Sequence, residues 1–171
     1  MKITDYTFNN KDIINIKNSY KINGFVVIKK FFKKKNIKLI KDEIKKLIKK
    51  KDNNFYYEKI KNKNVIRRIE KVSEYSNKIN NIINFKKTFN LINNLENNKF
   101  CLFKDKLNFK YPGGAGFSPH IDGHFLWKDK NNKYQKGWKI YSDNFLSIVT
   151  PLEKTDKKNG CIYISSKRNT K

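Results

Sequence analysis

Apolar residues recur at helical spacing through the first hundred positions and alternate beyond them. Residues 12–20 (DIINIKNSY) place isoleucines near a helical period, and Gly24 stops the run before Phe25-Val26-Val27-Ile28, which reads as a short strand. Asn36 is a candidate cap for a second helix over 37–50. There Ile37, Ile40, Ile44, Leu47 and Ile48 form one stripe and lysines cover the rest. Residues 52–64 read as a polar loop around the cluster Phe55-Tyr56-Tyr57, and weaker helical patterns follow over 76–85 and 87–95. From Phe100 onward the period becomes two. Cys101, Phe103, Leu107, Phe109 and Tyr111 fall on one face of an extended chain, and Lys104, Lys106, Asn108 and Lys110 on the other.

Pro112-Gly113-Gly114-Ala115-Gly116 ends that strand in a flexible loop. A further strand is expected over 145–150, closed by Pro151, and a returning strand over 161–164 after the turn Lys157-Lys158-Asn159-Gly160. Helices first and strands afterwards suggest a single α+β domain over 1–171, mainly helical in 1–99. Cys101 and Cys161, far apart and without CxxC spacing, read as buried strand residues of a reduced, cytoplasmic-type protein. No stretch approaches a membrane span, and the N-terminus lacks the apolar core of a secretory signal.

A formal net charge of +25 invites a nucleic-acid reading. The basic residues are nearly all lysine, mixed with asparagine and isoleucine in every segment, as A/T-rich codons would produce without selection for binding. Arginine, which contacts phosphate and guanine through two parallel hydrogen bonds, stands only at Arg67, Arg68 and Arg168. A solvated, compositionally biased surface is therefore expected, with no specific nucleic-acid partner. A basic module for nucleic acid or anionic surfaces remains the alternative.

The candidate chemistry lies in Phe117-Ser118-Pro119-His120-Ile121-Asp122-Gly123-His124. In an extended segment His120 and Asp122 project to one side, so an imidazole nitrogen and a carboxylate oxygen can meet one metal ion. That is two-thirds of a two-His-one-carboxylate facial set. The bare HxD pattern is weak, but its surroundings carry more. KDKLNFKYPGGAGFSPHIDGHFLW, then LSIVTPLEKTDKKNGCIYIS, and before both INGFVVIKKFFKKKNIKLIKDEI occur in an order that resembles the phytanoyl-CoA dioxygenase family.

The resemblance implies helices packed on a double-stranded β-helix of the cupin or jelly-roll kind, with 100–171 supplying its first part. It implies Fe(II), 2-oxoglutarate as cosubstrate, O₂, and hydroxylation of a small-molecule or acyl substrate. His120 and Asp122 match the first two metal ligands. Lys106, with Asn108 on its face, stands where that family's strand approaches 2-oxoglutarate; a solvated lysine is the competing reading. His124 and Trp127 either border the substrate pocket or only pack. The family's second histidine ligand and its 2-oxoglutarate-clamping arginine lie further downstream and have no assignable position here. Ser165-Ser166-Lys167-Arg168-Asn169 stands where a Gly-Ser-His-like end is usual. The expectation is a chain truncated before the last ligand; a non-catalytic remnant of the same fold is the alternative. Oligomeric state is left open.

Overall fold

The structure is a computed structural model and describes residues 6–165. The expected end at Ser166–Asn169 lies outside the described residues. The chain forms two compact units, one within Met1–Gly114 and Leu152–Lys171, the other Ala115–Pro151.

In the first unit a parallel pair, β1 (Thr7–Asn9) and β2 (Val27–Lys29), flanks helix α1 (Ile13–Asn23). Asp12 caps α1 by accepting from the Asn15 amide. Gly24 ends it with φ 80°, donating to the Tyr20 carbonyl. Ile16 is fully buried, and the Tyr6 and Phe25 rings lie 4.7 Å apart. Helix α2 (Lys34–Leu47) starts earlier than expected. Asn36 donates its N–H to the Lys33 carbonyl inside the first turn and is not the cap. Leu47 is buried and Ile44 packs against the core, whereas Ile48 sits past the helix end and is exposed.

The polar loop expected over 52–64 is instead a hairpin. Strand β3 (Phe55–Ile60) pairs antiparallel with β4 (Lys63–Glu70), with a register shift between Tyr56 and Tyr57. Lys61 and Asn62 form its two-residue turn with φ 46° and 63°. That conformation is usually marked by glycine, and its absence hid the turn. The bulge also broke the alternation that would have marked β3. The longest strands therefore lie within the first hundred residues. A short helix not expected from the sequence, α3 (Val72–Tyr75), precedes α4 (Asn77–Ile83) and α5 (Lys86–Glu96), which lie close to the two expected helical patterns. Ser76 caps α4, and Asp105 accepts from both the N–H and the hydroxyl of Ser73. Tyr20 donates to Glu96 at 2.5 Å, and burial beside that carboxylate pushes its phenol up to about 12.

Strand β5 (Lys106–Asn108) adds to β4 with Ile69 opposite Leu107. Only these residues of the expected strand 100–111 are in the ladder. Leu107 and Phe109 pack against a core of Leu47, Phe55, Ile69, Val72 and Ile79, while Lys106 and Asn108 face outward. Cys101 is exposed and Cys161 half-buried, and neither lies in a strand, contrary to expectation. The strand expected over 161–164 does not form. It finds no strand partner among the described residues, the Cys161 N–H donating instead to the Asp156 carbonyl of the preceding turn, and Ile162, Tyr163 and Ile164 stay exposed.

The second unit contains an antiparallel hairpin, β6 (Leu126–Lys128) with β7 (Tyr134–Lys136). Trp138 sits edge-on to Phe125 and Phe145, with ring centroids 5.8 and 5.3 Å away. Residues 145–150, expected as a strand, have no ladder partner among the described residues, and Ile148 and Val149 are exposed. The described strands thus make three small separate sheets, and the expected double-stranded β-helix is not assembled from them. The mixture of helix and strand is as expected. No helix among the described residues is long and apolar enough to cross a membrane.

Candidate metal site

The HxD pair belongs to the second unit. His120 and Asp122 lie outside regular strand, Asp122 in a turn closed by the His124 N–H donating to the Ile121 carbonyl at 3.1 Å and His120 just before that turn. A turn, not strand alternation, brings them together: His120 Nε2 is 3.5 Å from Asp122 Oδ1.

Each side chain is also held from behind. His120 Nδ1 lies 2.7 Å from the Ser118 carbonyl oxygen. A carbonyl only accepts, so Nδ1–H donates, and in the neutral ring Nε2 presents a lone pair toward Asp122. Ser147 Oγ donates to Asp122 Oδ2 at 2.9 Å, which leaves Oδ1 facing His120. A nitrogen and an oxygen 3.5 Å apart can share one ion whose bonds are about 2.0–2.2 Å, the range known for zinc with these donors. Outer hydrogen bonds of this kind fix the tautomer and orientation of metal ligands. With side chains 59% and 47% exposed, both groups are open to an incoming ion.

Glycines and aromatic rings shape the turn. Gly123 has φ 83° and rests on the Trp138 ring; a Cβ there would lie 3.7 Å from Cε3. Gly137, with φ 54°, approaches so closely that a Cβ would lie 1.7 Å from the Gly123 carbonyl oxygen. The Gly137 N–H donates to the Phe125 carbonyl at 2.7 Å, and Trp127 Nε1–H donates to the Gly137 carbonyl at 2.6 Å. Trp127 therefore braces the end of the hairpin. An open cleft of about 350 Å³ lies beside Asp122, lined also by Gly123, His124, Lys136, Trp138 and Lys139.

Among the described residues, no three His, Cys, Asp or Glu side chains converge as a metal site, so His124 does not complete a triad with His120 and Asp122. Lys106 and Asn108 share the exposed face of β5 in the first unit. Sequence reasoning missed Ser147, Gly137 and the lysines of the cleft. Ser147 stood within an aliphatic run with nothing to pair it with Asp122. Gly137 lay in a Lys-Gly-Trp segment that carried no motif.

A family model described as phytanoyl-CoA dioxygenase matches residues 20–165. The chain is 26% identical over 155 residues to a 2-aminoethylphosphonate dioxygenase of Uncultured bacterium HF130_AEPn_1, covering 87% of this chain and 55% of that protein. It is 25% identical over 107 residues to Dioxygenase lolE1 of Epichloe uncinata, covering 63% of this chain and 37% of that protein. The chain thus spans about half or less of the length of these relatives. No solved structure matches it.

Proposed function

The chain belongs to the phytanoyl-CoA dioxygenase family, and from that premise we propose that it serves the hydroxylation of a small molecule dependent on Fe(II) and 2-oxoglutarate. The observation that carries this reading is the His120–Asp122 pair, 3.5 Å apart, with each side chain's other polar atom already engaged. The donor set suits iron: one imidazole nitrogen and one carboxylate oxygen belong to the facial set that leaves coordination positions open. His120 Nε2 and Asp122 Oδ1 would hold the metal, and Ser118 and Ser147 would orient them. A third ligand has to come from outside this pair. Lys106 would pair with a carboxylate of 2-oxoglutarate, with the Asn108 amide beside it. The double-stranded β-helix is the fold in which such a set would be completed.

When bound, iron with 2-oxoglutarate and O₂ supplies the oxidation that yields succinate, CO₂ and a hydroxylated substrate. The chain's part is to hold the ligands in one tautomer and one orientation and to bring the substrate beside them. The relative named for 2-aminoethylphosphonate points toward small charged molecules as the substrate class.

The test is anaerobic titration of the chain with Fe(II), or with Mn(II) followed by electron paramagnetic resonance. We expect weak one-site binding that His120→Ala and Asp122→Ala each abolish. Binding retained unchanged by both variants would sink the metal assignment. With only two ligands brought together among the described residues, succinate release by this chain alone should fall far below an enzyme's rate.

A further inference from the structure

We propose that the cleft beside Asp122 receives the anionic head of the substrate, a carboxylate or a phosphorus oxyanion, held by Lys136 and Lys139. The proposal rests on the metal reading of Asp122 and deepens it by naming the substrate class.

Lys136 ends strand β7, and Lys139 follows in a turn where its N–H donates to the Lys136 carbonyl at 3.2 Å. Both residues line the same cleft of about 350 Å³ as Asp122. Neither forms an ion pair among the described residues, unlike Lys41, Lys46 and Lys78, each of which meets a carboxylate. Asp143 also lines the cleft and offsets one positive charge. With the Asp122 carboxylate committed to a metal, one positive charge remains uncompensated, and it faces a cavity wide enough for a small molecule. Ser142 adds a hydroxyl to the wall, and its Oγ already donates to the Asn144 carbonyl, so it has lone pairs and no free proton. Trp138 and Phe145 supply an apolar surface for the carbon skeleton. Cationic, apolar and metal-ligating residues therefore share a single cleft, the combination expected of a site that orients a small organic anion toward a reacting centre.

The probes are methylphosphonate, inorganic phosphate and succinate, titrated by calorimetry at fixed ionic strength into the full chain, with and without Mn(II). We expect saturable binding that the double variant Lys136→Gln/Lys139→Gln weakens at least tenfold. Lys130→Gln, a change in the exposed hairpin loop, should leave it intact. Equal weakening by Lys130→Gln would show diffuse charge attraction and overturn the proposal, as would the absence of saturable binding by any probe. Displacement of the bound probe by one equivalent of 2-oxoglutarate in the Mn(II)-loaded chain would give the cleft to the cosubstrate and overturn its assignment to the substrate. Anion binding that persists without metal and is lost in the double variant supports the cleft even if metal binding fails. Metal binding without anion binding removes the cleft and leaves the His120–Asp122 reading standing.

Discussion

In the first unit Ile69 is fully buried in a cluster with Leu47, Phe55, Val72 and Ile79. In the second no hydrophobic side chain among the described residues is buried, and Trp138 between Phe125 and Phe145 is the main apolar contact. One region is held by area removed from water, the other by close backbone approach, single hydrogen bonds and ring edges. The candidate chemistry sits in the second. Changes to the first should therefore appear as global stability, and changes to the second as loss of site geometry with the secondary structure retained.

The largest expected effect tests the first half of that contrast. Ile69→Ala leaves a cavity in a packed core and should cost about 2–5 kcal/mol in urea unfolding. A loss below about 0.5 kcal/mol, the size of an ordinary surface change, would mean the cluster does not carry the unit. Gly137→Ala tests the second half. Its Cβ cannot coexist with the Gly123 carbonyl oxygen 1.7 Å away, so the turn bearing Asp122 must shift. Mn(II) affinity should fall about 10–100-fold, as when a ligand's support is removed, with the far-ultraviolet circular dichroism unchanged. Wild-type affinity in this variant would show that the turn is not braced by Gly137.

What could be read from the sequence follows the same division. The stripe Ile37–Ile40–Ile44–Leu47, the Gly24 stop and the helical runs of 77–83 and 86–96 were legible because burial repeats at a helical period. The β3–β4 hairpin was not, because Lys61-Asn62 turns without glycine and the bulge at Tyr56/Tyr57 breaks the alternation. The outward placement of Lys106 and Asn108 opposite Leu107 followed from strand alternation. His120 and Asp122 were legible as a pair through residue type and spacing, but the expected reason, an extended strand, differs from the turn observed. Ser147 donates to a residue 25 positions away, a distance at which residue order carries no signal.

Ser147→Ala removes one hydrogen bond, on the outer side of a carboxylate that remains present. Its expected effect is smaller than that of moving the whole turn: a loss of metal affinity toward the lower end of about 10–100-fold. Ser147→Thr keeps the hydroxyl and should restore most of the affinity. If alanine and threonine behave alike, the bond from Ser147 Oγ to Asp122 Oδ2 does not position the ligand.

The smallest expected effect concerns the hairpin that carries Lys136 and Gly137. Asp129 Oδ1 accepts the backbone N–H groups of Asn131 and Lys133 at 2.9 and 3.0 Å, and Oδ2 accepts from Gln135 Nε2 at 2.7 Å. Above all the Gln135 amide, then the Lys133 N–H, hold this carboxyl below its ordinary value, with Asn131 adding to them against a desolvation that acts the other way. A carboxyl whose folded pKa is depressed contributes stability that is fully present above its unfolded value, near 3.9, and is lost as pH falls through the folded pKa. The hairpin should therefore keep full protection at neutral pH and loosen only in acid, below the ordinary aspartate range. Amide exchange at Lys133 and Gly137, whose N–H groups donate to Asp129 Oδ1 and to the Phe125 carbonyl, corrected for the intrinsic pH dependence of exchange, reads this directly. Asp129→Asn should show reduced protection already at pH 7 and should converge with the wild type in acid, where both carry a neutral side chain. A wild-type hairpin equally protected at both extremes would mean that the backbone ladder of β6 and β7 holds it, without the Asp129 carboxylate.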